Sequence, residues 1–361
     1  MRTFVYDQPS IRVLFGVGVI DRLASEVERL GARRTLVLAS PGQRPVAEAA
    51  AKQLGAAAAG IYAELAPHVP IEVARAACET ATRLGADCCV TIGGGSTIGL
   101  GKSIALDSGL PLIAVPTTYS GSEMTPIHGV TEGGVKKTGR DRKVLPKVVL
   151  YDPALTVSLP RQISGPSGMN AIAHSVEALY APDANPIVSL FAAEGIRALA
   201  RSLPVIVDEP ANMEARGDAL YGAWLSGAAL AAASMGLHHR LCHTLGGSFG
   251  LPHAEVHTVV LPHAAAFNRD AAPDAMRVVA CALGEDDAAQ GLYDLAVRIG
   301  APVALKDIGM PAGGLDRAAR LATASPYDNP RPIDYAGIRQ LLEDAFQGTR
   351  PVSRQYVTKG S

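Results

Sequence analysis

The chain has 361 residues, enough for two domains with a core in each. Hydrophobic residues make up 48% and charged residues 19%, a balance that suits an ordered α/β protein and excludes extensive disorder. The formal net charge is −1 and no Lys/Arg cluster stands out, so neither a nucleic acid nor a membrane surface has electrostatic support as a partner.

In chain order, Arg34–Ala39 reads as a buried strand ending at the turn Ser40-Pro41-Gly42, and 45–54 as an alanine-rich helix. Val73 to Leu84 is a second helical run stopped by Gly85. Asp87–Ile92 is a strand leading straight into Gly93-Gly94-Gly95-Ser96, and Leu112–Val115 is a strand ending at Pro116-Thr117-Thr118. Strands separated by helices predict a parallel, doubly wound sheet. After Tyr151-Asp152-Pro153 the pattern turns helical: the runs 168–181, 187–203, 213–235, 274–284, 288–300 and 334–346 carry it, with Pro204 and Pro210 separating the second from the third. The expected plan is an α/β domain over 1–155, an all-α domain over 156–361, and a cleft between them that opens and closes.

Five cysteines, an odd number without CxxC spacing, favour a reduced setting over a disulfide frame, and the adjacent Cys88 and Cys89 suit a buried strand. Met1–Tyr6 lacks the apolar run of a signal peptide and no stretch approaches a membrane span. A cytoplasmic protein is the expectation.

Two loops have the chemistry of a phosphate site. Gly93-Gly94-Gly95-Ser96, followed by Lys102, lies between a strand and a helix, where backbone amides and a helix N-terminus receive a diphosphate. Pro116–Thr125 is rich in hydroxyls, among them Thr117, Thr118, Ser120 and Ser122. Both follow strand ends, where open α/β sheets bind ligands. A tight turn and a solvated loop are the alternatives. Neither a GxGxxG fingerprint nor a Walker loop is present.

Six of the nine histidines fall between His238 and His263. Imidazole supplies proton transfer, anion recognition or metal ligation. His239 and His243 share a helix face at i, i+4, as do Asn170 and His174. His253-Ala254-Glu255-Val256-His257 is not an HExxH motif, because the glutamate falls one place late. His68, His128 and His263 read as structural or as lying behind the site, and the role of His257 stays open.

These landmarks together resemble the iron-containing alcohol dehydrogenase family of the dehydroquinate-synthase-like superfamily. They run in family order: Phe15-Gly-Val-Gly18, Gly93–Ser96, Pro116-Thr-Thr118 with Gly121–Thr125, Asp152-Pro153, Asn170-x3-His174-x2-Glu177-Ala178, His243-x-Leu-Gly246, His253 and Leu261-Pro-His263. Thr117–Thr125, Gly134–Gly139, Gly236–His243, His253-Ala-x-x-His257 and Pro326–Pro332 are similar to the branch that reduces maleylacetate.

The resemblance implies that NADH or NADPH binds at Ser40, Gly93, Gly94, Gly95, Ser96, Thr117, Thr118, Ser120, Ser122 and Lys137. It implies catalysis by His174, His239, His243 and His253, with His243 the leading candidate to stabilise the enolate or donate the proton. A dicarboxylate substrate would meet His238 and Asn170, with Tyr327 and Arg331 as late carboxylate partners or plain surface-loop residues, in a homodimeric enzyme. The family's one Asp and three His metal ligands map onto Asn170, His174, His243 and His253. A neutral amide in place of the carboxylate removes about one unit of charge neutralisation, so a catalytic metal is not expected. A metal-dependent alcohol or polyol dehydrogenase, and a non-catalytic nucleotide-binding homologue, are the competing readings.

Overall fold

The computed structural model describes residues 3–7, 10–65, 69–133 and 135–352, with the side chains of residues 135 and 136 outside that set. His68, Gly134 and the tail beyond residue 352 therefore lie outside the described residues.

The first part follows a β/α rhythm: β1 (Arg12–Phe15), α1 (Leu23–Arg29), β2 (Thr35–Ala39), α2 (Arg44–Leu54), β3 (Ala58–Tyr62), α3 (Ile71–Arg83), β4 (Cys88–Gly93), α4 (Gly95–Ser108) and β5 (Leu112–Pro116). An antiparallel hairpin of β6 (Ile127–Glu132) and β7 (Val135–Arg140) precedes β8 (Val148–Tyr151). Six strands form one parallel sheet in the order β1-β8-β5-β4-β2-β3.

Period-two alternation makes the sheet two-sided. Val37, Ala39, Cys88, Val90 and Ile92 pack with Leu23 and Val27 of α1 and Ala47 and Ala50 of α2. Leu36, Leu38 and Cys89 face Ala74 and Ala77 of α3 and Leu100 and Ile104 of α4. The cysteine pair is thus split between the two cores, with both thiols reduced. After β2 the chain steps outward to β3, and after β4 it steps the opposite way to β5. The carboxyl ends of β2 and β4 consequently flank the topological switch point, where such sheets take their ligands. Ala39 pairs with Ile92 in register, which sets Ser40 beside Gly93 at that crevice.

The remainder is helical: α5 (Arg161–Tyr180), α6 (Pro186–Asp208), α7 (Met213–Ala232), α8 (Leu237–Phe249), α9 (His253–Asn268), α10 (Pro273–Leu283), α11 (Ala288–Arg298), α12 (Leu315–Thr323) and α13 (Tyr335–Gln347). Polar caps set several starts. Asn185 Oδ1 accepts from the Ile187 and Val188 amides at 3.1 Å, and Asp334 Oδ1 accepts from Gly337 N at 2.8 Å.

Pro204 was expected to end a helix, yet α6 runs through it to Asp208. An interior proline costs roughly 3 kcal/mol, but Leu199, Leu203 and Ile206 around it are fully buried. Burial at about 1.5–3 kcal/mol per side chain outweighs that loss. No single helix among the described residues is long and apolar enough to cross a membrane.

Two contacts seat the hydroxyl-rich loop after β5 on the helices. A Cβ on Gly227 of α7 would lie 2.5 Å from the Gly121 carbonyl oxygen, so only hydrogen fits there. The buried Arg216, also of α7, donates to Tyr119 Oη at 2.8 Å and to Ser164 Oγ at 2.9 Å.

Candidate active site

A cavity of about 1430 Å³ runs from the switch-point side of the sheet to the helices. One wall is the start of α4, through Gly95 and Ser96, with Thr118, Ser120 and Ser122 from the loop after β5. The other carries Asn170 and His174 of α5, His239 and His243 of α8, and His253 at the start of α9.

Gly93, Gly94 and Thr117 do not line the cavity but shape the loops that do. A Cβ on Gly93 would come within 2.3 Å of Thr97 Oγ1, and one on Gly94 within 2.9 Å of Thr118 Cγ2. The Thr117 amide donates to the Gly93 carbonyl at 3.1 Å, tying the two loops together. Lys102, fully buried, donates to the Ser122 carbonyl at 2.6 Å, Thr125 Oγ1 at 3.0 Å and the Ile127 carbonyl at 2.7 Å. Burial brings its ammonium down to about 7, with the Glu123 carboxylate opposing. It braces the loop from beneath. Ser40 sits at the crevice without lining the cavity, and Lys137 is exposed on the hairpin, paired with Glu132. The cavity is lined from this strand by Thr138 and Arg140, with Lys137 at the alternate position on the other face, so Lys137 is not among the cavity residues.

The histidine wall is organised by Glu177, one helical turn beyond His174 on α5. Its carboxylate is fully buried and accepts from the His238 amide at 2.8 Å, the His239 amide at 3.2 Å and His239 Nδ1 at 2.5 Å. Burial alone would raise this carboxyl. The His239 hydrogen bond and the charges of His239 and His238 outweigh it and bring Glu177 down to about 2.

His239 Nε2 lies 2.9 Å from His174 Nδ1, and His174 Nε2 lies 3.2 Å from the Ser120 carbonyl oxygen. Each of these three links needs one proton: carboxylate to His239, His239 to His174, and His174 to a carbonyl that only accepts. Two neutral imidazoles supply two. All three links are filled at once only when the pair carries one proton more than two neutral rings. Burial, and then the His239 charge, hold His174 well below the usual imidazole range.

His243 and His253 line the cavity beside this network, the His243 ring 6.2 Å from that of His239. His239, not His243, is thus the ring that adjoins His174, because α8 turns its first residues toward α5. Asn170 Oδ1 faces no donor among the described residues. His238 is corrected as a cavity residue: it is fully buried behind the wall, its Nε2 2.8 Å from His257 Nδ1.

Tyr327 and Arg331 are likewise absent from the cavity. Tyr327 packs under Arg240, and Arg331 lies 4.0 Å over the Phe267 ring, because the adjoining α9 core offers these flat groups more contact than the cleft does. His128 lines the cavity from β6, whereas His263 is buried and burial holds its ring down at about 4. The sequence reading missed Glu177 as a site residue, although its spacing from Asn170 and His174 on one helix face was there to be used.

The fold and this site match known proteins over nearly the whole chain. The model for iron-containing alcohol dehydrogenase matches residues 9–153, and that for the C-terminal part of the Fe-containing alcohol dehydrogenase family matches residues 165–346. The chain belongs to the iron-containing alcohol dehydrogenase family. Among its relatives, the maleylacetate reductase of Burkholderia cepacia is 55% identical over 351 residues, covering 97% of this chain and all of that protein. The crystal structure of maleylacetate reductase from Agrobacterium tumefaciens superimposes with a TM-score of 0.94 at 52% identity, covering 97% of this chain and 100% of that one. That of sulfoacetaldehyde reductase from Bifidobacterium kashiwanohense in complex with NAD+ gives 0.87 at 25% identity, over 96% and 99%.

Proposed function

We propose that this chain is a maleylacetate reductase, which uses NADH or NADPH to convert the C=C bond of maleylacetate into the saturated 3-oxoadipate. The observation that carries the reading is the Glu177–His239–His174 network opposite the α4 N-terminus, in a cavity where Asn170 stands in place of a carboxylate. The near-full-length likeness to maleylacetate reductases supports it.

When bound, the reduced nicotinamide supplies hydride to the alkene carbon β to the ketone. The amides of Gly95 and Ser96 at the start of α4 receive the cofactor's diphosphate, with the hydroxyls of Thr118, Ser120 and Ser122 alongside. Hydride addition leaves an enolate, and the His239–His174 pair, when it carries its third proton, meets that negative charge. His243, one turn further along the same face of α8, delivers the proton to the carbon next to the ketone. His253 and the Asn170 amide hold the substrate's carboxylates.

The donor set does not fit a catalytic metal. Of the family's ligand positions, His174 already directs one ring nitrogen to His239 and the other to the Ser120 carbonyl. Asn170 contributes no charge. The His239–His174 pair takes over the electrophilic role, and no step passes through an ion.

A cytoplasmic location is supported by cysteines that form no disulfide among the described residues. A homodimer is supported by β1, an edge strand carrying the exposed Phe15 with the exposed Val17 just after it.

The test is NADH or NADPH oxidation followed spectrophotometrically with maleylacetate, beside simple alcohols and aldehydes. Turnover with maleylacetate alone supports the reading. Turnover only with alcohols or aldehydes would return the chain to the metal-dependent dehydrogenases, and none with either would leave a nucleotide-binding homologue.

A further inference from the structure

Behind the cavity wall lies a cluster that the reduction of an alkene does not use. His238 and Cys242 are one turn apart on the same face of α8, and His257 reaches them from α9. All three are at most 1% exposed. His238 Nε2 is 2.8 Å from His257 Nδ1 and 3.6 Å from Cys242 Sγ, and the three donor atoms all lie within 4.8 Å of one another.

We propose that His238, Cys242 and His257 form a binding site for one zinc-class divalent cation, separate from the family's ligand positions and structural in role. Around a tetrahedral zinc ion, at about 2.0–2.1 Å to nitrogen and 2.3 Å to sulfur, neighbouring donors sit roughly 3.3–3.6 Å apart. The nitrogen–sulfur pair already has that spacing, and the two imidazoles need part by only about half an ångström. With the facing nitrogens on the ion, His238 Nδ1 and His257 Nε2, which have no partner among the described residues, carry the ring N–H groups. Thiolate plus imidazole is a donor set of zinc's softness.

A divalent ion and the Cys242 thiolate leave one positive charge, on the side of α8 where the buried Glu177 carboxylate accepts from the His238 amide. Such an ion would clamp α8 to α9 and so fix the relative placement of His239, His243 and His253. With every donor shut from solvent, loading takes place as the chain folds.

The test uses the full-length protein produced in medium supplemented with cobalt, a spectroscopic substitute for zinc. Expected are one cobalt per chain and a near-ultraviolet thiolate-to-cobalt absorption. Cys242→Ser should lose both, while His174→Gln keeps both. If Cys242→Ser fails to accumulate, His257→Gln carries the same expectation. Cobalt-free protein, cobalt without the thiolate absorption, or an absorption that survives these cluster substitutions would each overturn the proposal.

Discussion

Glu177 holds His239 from two directions, its Oε2 accepting both the backbone amide at 3.2 Å and the ring Nδ1–H at 2.5 Å. One buried carboxylate therefore fixes where α8 begins and which nitrogen of its first cavity-lining imidazole carries a proton. The Nε2 edge is left to His174 and the cavity. Position and protonation are set by the same group, and the first prediction follows from it.

His239→Ala removes the ring that joins Glu177 to His174 and leaves the carboxylate without that partner. Loss of one such donor costs about 10²–10³ in rate, so kcat should fall by that factor while the NADH dissociation constant stays within about threefold. A variant with more than roughly a third of the wild-type kcat would show that His239 serves the scaffold and not the chemistry.

Gly94→Val tests the cofactor loop. Its Cβ would meet Thr118 at 2.9 Å, with the α4 N-terminus immediately after it. Displacing the two loops should weaken NADH binding by at least about tenfold, or 1.4 kcal/mol, with the circular dichroism spectrum unchanged. Unaltered affinity in a folded variant would remove this loop from the cofactor site.

Prolonged chelation should leave turnover with maleylacetate largely intact, since His174 and His239 bond each other and Asn170 adds no charge. The decisive measurement is metal content beside activity, repeated in Cys242→Ser. Stoichiometric iron or zinc that persists in this variant, and whose removal abolishes turnover, would reinstate a metal-dependent mechanism.

Acid should unfold the protein early. Burial, with neighbouring imidazole charge added at His174, lowers His174 and His263, the latter to about 4, from 6.5. Below 6.5 the unfolded chain binds protons that the folded chain refuses, so stability is full above that pH and declines toward pH 4. Each ring contributes up to about 1.4 kcal/mol per pH unit. Glu177 acts in a lower window, its contribution vanishing between 4.5 and about 2. The urea midpoint should fall steadily from pH 7 to 5, and a flat midpoint would contradict the buried neutral rings.

Strand and helix periodicity was legible wherever one residue type repeated cleanly. Cys88-Cys89 announced a two-sided strand, and the pairing of helix faces through Asn170/His174 and His239/His243 needed only the period of 3.6. What periodicity does not encode is rotation about the helix axis. His239 and His243 both satisfy i, i+4, and only the seating of α8 on Glu177 decides which one reaches His174. Tyr327 and Arg331 were misplaced for a related reason: a polar residue in an irregular segment carries no directional signal. Pro204 misled because a local penalty was read without the burial that overrides it.

The carbonyl facing His174 belongs to Ser120, whose neighbour Gly121 lies against Gly227 too closely for a methyl group. Parting the hydroxyl-rich loop from the helices would withdraw that acceptor, so the hydrogen bonding of a catalytic ring depends on two glycines that never touch the substrate.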